Sequence, residues 1–352
     1  MKSMCNQKKT STVLWYLTRK CNLRCSYCNI VKNSECYDNS VLNKEMPIDL
    51  AIESLKRFKK HNPHMFHIFM GGEPTLYTHL EELINFCNKE EILYAIVSNM
   101  TDVAYMKLLL LVNKGIQINS ITGTVDVCLF DENADKKDDK YKKSQLALER
   151  LHALSQMPNV KEVVAEVCVT RNDYHLLETL LEELTKRKIH ADVFPVETRY
   201  NKYYDFTAPV DHDLLLPFNK DVIRTLEKIY KRSKKGELLI IGDEVIKYMM
   251  NFLPQNYMCK IPESFSTMTI DSNGKVRLCM RIKGTECENL GLTVPDILSK
   301  NGSYKKKISD KLSKAMMLDM QNYCRGCMWT CAMFSDLEQQ GLIDFNTVSH
   351  EK

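Results

Sequence analysis

The chain has 352 residues, of which 44% are hydrophobic and 27% charged, with a formal net charge of +4. This length and composition are typical of a globular protein with one large domain and a smaller one. Basic and acidic residues are mixed along the chain, which argues against a nucleic-acid-binding face. No signal peptide opens the sequence, and the aliphatic run at 108–112 is too short to cross a bilayer. We therefore expect a cytoplasmic protein with no membrane partner.

From residue 12 to about residue 196, strand-like apolar runs alternate with amphipathic helical runs. One helix is predicted to begin near Pro47, and a second at Thr78, where Thr78 and Glu81 form a capping-box pattern. Six strand–helix repeats predict a parallel sheet with helices outside it. The predicted strands are 12–18, 65–70, 92–98, 116–127, 160–170 and 189–196.

The remaining chain changes character after residue 196. Residues 197–256 contain helical runs at 221–232 and 243–252, and we interpret them as a helical linker. A smaller unit follows at 257–352, where Asn273-Gly274 is a strong hairpin-turn signal between two short apolar runs. The predicted domains are therefore 1–196, 197–256 and 257–352.

Fourteen cysteines are many for this length. Without a secretion signal, clustered cysteines indicate metal ligands rather than disulfides. Cys21, Cys25 and Cys28 stand at C-x3-C-x2-C directly after the first predicted strand. Three such thiolates can converge on one [4Fe–4S] cluster and leave its fourth iron open. A zinc knuckle, or cysteines that are merely buried, is the alternative interpretation.

The spacing of these cysteines, with Tyr27 directly before the third, resembles the signature of the radical S-adenosylmethionine (SAM) enzymes. The later segment Gly71-Gly72-Glu73 resembles the one with which that family holds the amino group of SAM. The resemblance implies that the open iron binds SAM, which is cleaved reductively to methionine and a 5′-deoxyadenosyl radical. It also implies that the α/β sheet curls into a partial (β/α)6 barrel, followed by a small C-terminal α+β domain.

The same resemblance implies further SAM contacts at the ends of the predicted strands. Ser98 and Asn99 close the third strand, Asp126 lies in the fourth, and Arg171 follows the fifth. Their polar and cationic groups suit the ribose and carboxylate of SAM, and Tyr27 suits the adenine. Simple alternatives stay open, because Asp126 could cap a strand end and Tyr27 could pack in the core.

A second cysteine group lies near the C-terminus, at Cys259, Cys279, Cys324, Cys327 and Cys331. A four-cysteine tetrahedral zinc site is one interpretation. Beside a radical SAM barrel, the group resembles the Twitch module, a half-length relative of the SPASM domain. That resemblance implies an auxiliary [4Fe–4S] cluster ligated by the first four cysteines. The seven-cysteine SPASM pattern is not met, and Cys331 stays open as a substitute ligand or a buried apolar residue.

These features predict a radical SAM oxidoreductase that abstracts a hydrogen atom from its substrate. A fully ligated auxiliary cluster would accept an electron, which favours net oxidation such as a cross-link, a thioether or a dehydrogenation. We expect a ribosomally made peptide as the substrate, with a small-molecule alcohol (a sugar, aminocyclitol or nucleoside) as the alternative. A non-catalytic iron–sulfur or zinc protein is disfavoured by Gly71-Gly72-Glu73.

Two partners follow from this interpretation. The cluster needs an external one-electron reductant of the flavodoxin or ferredoxin type. Because the predicted barrel begins by residue 12, we expect no N-terminal leader-peptide-binding domain, which argues against a peptide substrate unless a separate leader-peptide-binding protein presents it.

Overall fold

Among the residues that the structure describes, an eight-stranded sheet organises the fold, in the strand order β6-β5-β4-β3-β2-β1-β7-β8. All neighbouring strands are parallel except β7 and β8, which form an antiparallel hairpin. The strands are β1 (Thr12–Thr18), β2 (Phe66–Gly71), β3 (Leu93–Ser98), β4 (Ile118–Thr124), β5 (Val160–Val169), β6 (His190–Pro195), β7 (Thr267–Ile270) and β8 (Val276–Arg277). The computed structural model describes residues 12–23, 45–131, 135–137, 139–195, 216–217, 219–252, 267–274 and 276–277.

Helices connect the strands and confirm the predicted alternation. Their buried faces follow the helical period: in the first helix, Ala51, Leu55 and Phe58 are almost fully buried. None of the helices in the described ranges is long and apolar enough to span a membrane. The helices are α1 (Ile48–His61), α2 (Leu80–Lys89), α3 (Asp102–Asn113), α4 (Asp139–Ser155), α5 (Leu177–Lys186), α6 (Lys220–Lys234) and α7 (Glu244–Phe252).

The capping-box prediction at Thr78 is wrong. Helix α2 begins at Leu80, its N-cap residue is His79, and no side chain in the described part of the chain caps it. The backbone N–H of Thr78 instead donates to Glu45 Oε2 at 3.3 Å. A long-range contact with the segment that precedes α1 therefore replaces the local cap that the sequence pattern suggested.

Gly123 of β4 shows which face of the sheet is covered by helices. A Cβ atom on Gly123 would lie 3.1 Å from Leu151 Cδ2 of α4, so this position faces that helix. The strand register pairs Gly123 with Ala165, and Ala165 with Ala191. Successive residues of a strand alternate between faces. The residues that follow these three along β4, β5 and β6 therefore point to the opposite, inner face of the sheet.

The segment predicted as a helical linker packs on the β6 edge of the sheet. The Ala191 N–H donates to Leu239 O, and the Ile241 N–H donates to Ala191 O, both at 2.8 Å. Arg232 of α6 forms ion pairs with Glu178 of α5 at 2.6 Å and with Glu237 at 3.0 Å. The described part of 197–256 is thus fastened to the parallel sheet by backbone hydrogen bonds and by charge.

The predicted hairpin at Asn273-Gly274 is confirmed. Gly274 has a φ of +78°, which favours glycine, and its N–H donates to Asp271 O at 2.7 Å. Strand β7 pairs in parallel with β1, so the hairpin extends the main sheet. Most of 257–352 lies outside the described residues, and the proposed domain boundaries stay predictions.

Candidate functional site

The end of β1 delivers Cys21 to the C-terminal edge of the parallel sheet, where α/β proteins bind ligands. Cys21 is partly exposed, and its Sγ accepts hydrogen bonds from the Leu23 N–H at 3.4 Å and from Asn99 Nδ2 at 3.8 Å. Donors directed at sulfur stabilise a thiolate, and the thiolate is the form of cysteine that ligates iron. The other two cysteines of the motif, Cys25 and Cys28, lie outside the described residues, as does Tyr27.

The Gly71-Gly72 segment packs directly against the chain that leads to Cys21. The Gly72 N–H donates to Thr18 O at 2.8 Å, and the Glu73 N–H donates to Lys20 O at 2.7 Å. A Cβ atom would lie 2.4 Å from Thr18 O at Gly71, and 2.1 Å from Lys20 O at Gly72. The two glycines are therefore required by this backbone contact, whatever ligand lies beyond it.

The carboxylate of Glu73 is fully buried and bonded within the protein. Its Oε1 accepts from the Thr75 N–H and from Ser98 Oγ, each at 3.1 Å, and its Oε2 accepts from the Asn99 N–H at 2.7 Å. Burial raises the pKa of Glu73, although these hydrogen bonds act in the opposite direction. Glu73 thereby joins the end of β2 to the end of β3.

Asn99 extends this network to the cysteine motif. Besides its contact with Cys21, its Nδ2 donates to Asn22 Oδ1 at 2.8 Å, and its Oδ1 accepts from the Thr101 N–H at 3.1 Å. Asn22 Nδ2 in turn donates to Thr101 Oγ1 at 2.7 Å. Three of the segments predicted to form one site, those around Cys21, Glu73 and Asn99, are therefore in contact.

Two further predicted residues, Asp126 and Arg171, lie at the same edge of the sheet. Asp126 follows β4 by two residues, and its backbone N–H donates to Ser144 Oγ at 2.6 Å. Arg171 follows β5 by two residues and is exposed. The topology thus confirms their common edge, while their contact with SAM stays a prediction. The predicted auxiliary ligands lie outside the described residues: Cys259, Cys279, Cys324, Cys327 and Cys331.

Sequence reasoning missed a buried ion pair beside the cysteine motif. Arg19 Nε and Nη2 donate to the two carboxylate oxygens of Asp271 at 3.2 and 2.5 Å. Only 6% of the Arg19 side chain and 2% of the Asp271 side chain are exposed. The pair joins the residue two before Cys21 to the β7–β8 turn. An aspartate two residues before Asn-Gly is an ordinary turn residue, so the sequence carried no signal for this contact.

The described residues fit an iron–sulfur cluster and SAM at this edge. One predicted thiolate ligand lies at the end of β1 with two hydrogen-bond donors on its sulfur. Polar groups from the ends of β2 and β3 lie beside it, at the C-terminal edge of the sheet. Among the described residues no three metal-binding side chains converge, since two of the three predicted cysteines are outside that part.

Residues 15–128 match the family model of the Radical SAM superfamily. No curated protein matches the chain. Solved structures resemble it in fold. Streptococcus suis SuiB bound to S-adenosylmethionine aligns at 15% identity with a TM-score of 0.58, over 98% of this chain and 78% of that one. Native anSMEcpe with bound AdoMet aligns at 15% identity with a TM-score of 0.58, over 97% of this chain and 100% of that one.

A second SuiB structure is bound to a precursor peptide, SuiA. It aligns at 14% identity with a TM-score of 0.55, over 98% of this chain and 76% of that one. Identities at this level establish a common fold only. The predicted α/β partial-barrel fold is therefore confirmed.

Proposed function

We propose that this protein cleaves SAM reductively and abstracts a hydrogen atom from its substrate, a proposal that starts from the match of residues 15–128 to the Radical SAM superfamily model. A [4Fe–4S] cluster on Cys21, Cys25 and Cys28, when bound, supplies the electron for that cleavage. The substrate is then oxidised, as a cross-link, a thioether or a dehydrogenation.

The observation that carries this proposal is the contact between the cysteine motif and the Gly-Gly-Glu segment. Glu73 buries its carboxylate and fixes Asn99, and Asn99 Nδ2 lies 3.8 Å from Cys21 Sγ. The strand end that carries a cluster ligand is thereby fixed relative to the edge where SAM would lie. Side chains that are fixed in position in this way lower the entropic cost of orienting a cofactor for reaction.

The proposed SAM contacts surround this point. Gly71, Gly72 and Glu73 hold the amino end of SAM, and they do so through backbone groups as well as through the carboxylate, which already accepts three hydrogen bonds. Tyr27 lies against the adenine in this proposal. Polar groups at the other strand ends bind the ribose and carboxylate: Ser98, Asn99, Asp126 and Arg171.

We propose a peptide substrate. Support comes from the fold shared with SuiB, of which one structure is bound to the precursor peptide SuiA.

An auxiliary [4Fe–4S] cluster on Cys259, Cys279, Cys324 and Cys327 would accept the second electron of the substrate's two-electron oxidation, with Cys331 as an alternative ligand. A flavodoxin or ferredoxin type protein would be the reductant, in the reducing cytoplasm. A small-molecule alcohol is the second candidate substrate. For a peptide substrate, a separate leader-peptide-binding protein is a proposed partner.

Anaerobic reconstitution followed by incubation with SAM and dithionite tests this function. We expect about eight irons per chain and formation of 5′-deoxyadenosine. The triple variant Cys21→Ala, Cys25→Ala, Cys28→Ala is expected to lose about half the iron and all 5′-deoxyadenosine. Zinc in place of iron, or no 5′-deoxyadenosine from the reconstituted parent, would overturn the proposal.

A further inference from the structure

Three polar residues form one layer on the inner face of the sheet. The strand register pairs Thr124 with Glu166, and Glu166 with Asp192. Each follows a residue that faces the helices, so all three point inward. Glu166 lies three residues before the end of β5, and Asp192 three before the end of β6. At a rise of about 3.3 Å per residue, the layer is about 10 Å below the C-terminal edge.

The two carboxylates of this layer have few partners of their own. Glu166 Oε2 accepts from Thr124 Oγ1 at 3.3 Å, whereas Asp192 Oδ1 is buried and accepts no hydrogen bond from the described residues. No basic side chain in the described ranges forms an ion pair with either acid. Burial raises the pKa of both groups, and the nearby charge of Glu166 helps to raise that of Asp192 to about 7. Two buried carboxyl groups with so few hydrogen-bond partners destabilise the fold, unless a bound ligand supplies hydrogen bonds or an opposite charge.

A neighbouring carboxylate shows the contrast. Glu162 also lies on β5, in register with Ser120 of β4, and its Oε1 is 3.7 Å from His190 Nδ1. Burial raises the pKa of Glu162, and His190 opposes that rise. Glu162, which lies deeper in the barrel, therefore has a basic partner in His190. Glu166 and Asp192, which lie nearer the C-terminal edge of the sheet, have none in the described part.

We propose that Glu166 and Asp192 bind a cationic nitrogen group of the substrate, an ammonium or a guanidinium, that reaches into the barrel. This inference rests on the proposed function, because it names the substrate class of the same site. Such groups offer several N–H donors to the carboxylate oxygens, including the unpartnered Oδ1 of Asp192. The depth of about 10 Å favours a cation at the end of a flexible chain, as in lysine or arginine.

A metal ion is a less suitable ligand for this pair. In the described ranges, no group of three histidine, cysteine or carboxylate side chains is arranged to hold one. The strands supply two carboxyl groups and a threonine hydroxyl. These groups suit the N–H donors of a cation better than they suit a metal ion, which needs a complete set of about six oxygen ligands.

Agmatine, which carries both an amine and a guanidinium, is the probe, and 1,5-pentanediol is its uncharged counterpart. Anaerobic isothermal titration into the reconstituted, SAM-loaded protein is expected to show agmatine binding and no diol binding. Asp192→Asn and Glu166→Gln are each expected to weaken agmatine binding about tenfold or more, the effect of one charge-assisted hydrogen bond. Glu162→Gln is the matched control and is expected to keep the parent's affinity.

Both test variants are close in shape to the parent and remove a buried charge, so we expect them to fold, as circular dichroism will show. Absence of agmatine binding to the parent, or equal affinity in the parent and both variants, would overturn the proposal. A fall in SAM affinity with unchanged agmatine affinity would assign the acids to SAM and overturn it as well. These failures differ from failure of the proposed function, which appears as no 5′-deoxyadenosine from the parent.

Discussion

Replacing Glu73 with glutamine tests the buried network that joins the strand ends. The Glu73 carboxylate accepts from two backbone N–H groups, those of Thr75 and Asn99, and from the Ser98 hydroxyl. A glutamine keeps one acceptor oxygen and places an NH₂ group against a donor. At least one hydrogen bond to a charged acceptor is lost, which costs about 1.5–3 kcal/mol.

Relief from burying a charge offsets part of that cost, because burial raises the pKa of Glu73. We therefore expect the free energy of unfolding to fall by about 1–2 kcal/mol in Glu73→Gln. Denaturant unfolding of the reconstituted protein measures it, with Glu82→Gln as the control, since Glu82 is exposed on α2. Equal stability in Glu73→Gln and the parent would refute the structural role of this carboxylate.

The same variant separates the two roles proposed for Glu73. If the carboxylate also accepts a hydrogen bond from the SAM amino group, the free energy of SAM binding weakens by about 1.5–3 kcal/mol, while the iron content is unchanged. An unchanged SAM affinity would leave Glu73 as a positioning residue that acts through Asn99.

Three further predictions concern other parts of the chain. Asp271→Ala is expected to lower the free energy of unfolding by about 3–5 kcal/mol, because the buried Arg19 loses the carboxylate that neutralises its charge. Denaturant unfolding checks this, and an equal midpoint would contradict it. Folding raises the pKa of Asp192 from 3.8 to about 7, so ionisation of this carboxyl destabilises the fold as pH rises across that range. Asp192→Asn is therefore expected to gain stability over the parent between pH 4 and 7, by at most about 4 kcal/mol, in thermal unfolding at several pH values; a pH-independent difference would contradict it. Cys324→Ala with Cys327→Ala is expected to keep SAM cleavage while product formation stops; if the variant is folded by circular dichroism and still forms product at the parent's rate, the electron-acceptor role is wrong.

The strand and helix order could be predicted because hydrophobic periodicity is a local property. The run Thr12–Thr18 is apolar on both faces, as a central parallel strand must be, and Leu177–Lys186 shows a clear helical face. Strand ends were predicted less accurately: the fourth strand ends at Thr124, earlier than predicted, and Asp126 lies beyond it. The cysteine and glycine motifs could be placed at one edge because parallel strands share their C-terminal ends.

The long-range contacts could not be predicted. The pairing of β7 with β1, and the Arg19–Asp271 ion pair that accompanies it, join segments about two hundred and fifty residues apart. No local pattern specifies such a contact. A weak signal did exist for Glu166 and Asp192, since each is an acid with apolar neighbours on both sides within a strand. Only the strand register shows that they are neighbours.

The most direct test of the central claim is whether SAM binds to the cluster itself. Anaerobically reconstituted, reduced protein would be mixed with SAM labelled with ¹⁵N at its amino group and studied by electron–nuclear double resonance. We predict a ¹⁵N coupling to the reduced cluster, absent from the variant that lacks Cys21, Cys25 and Cys28. A reduced cluster that shows no coupling at saturating SAM would contradict the assignment of this edge as a radical SAM site.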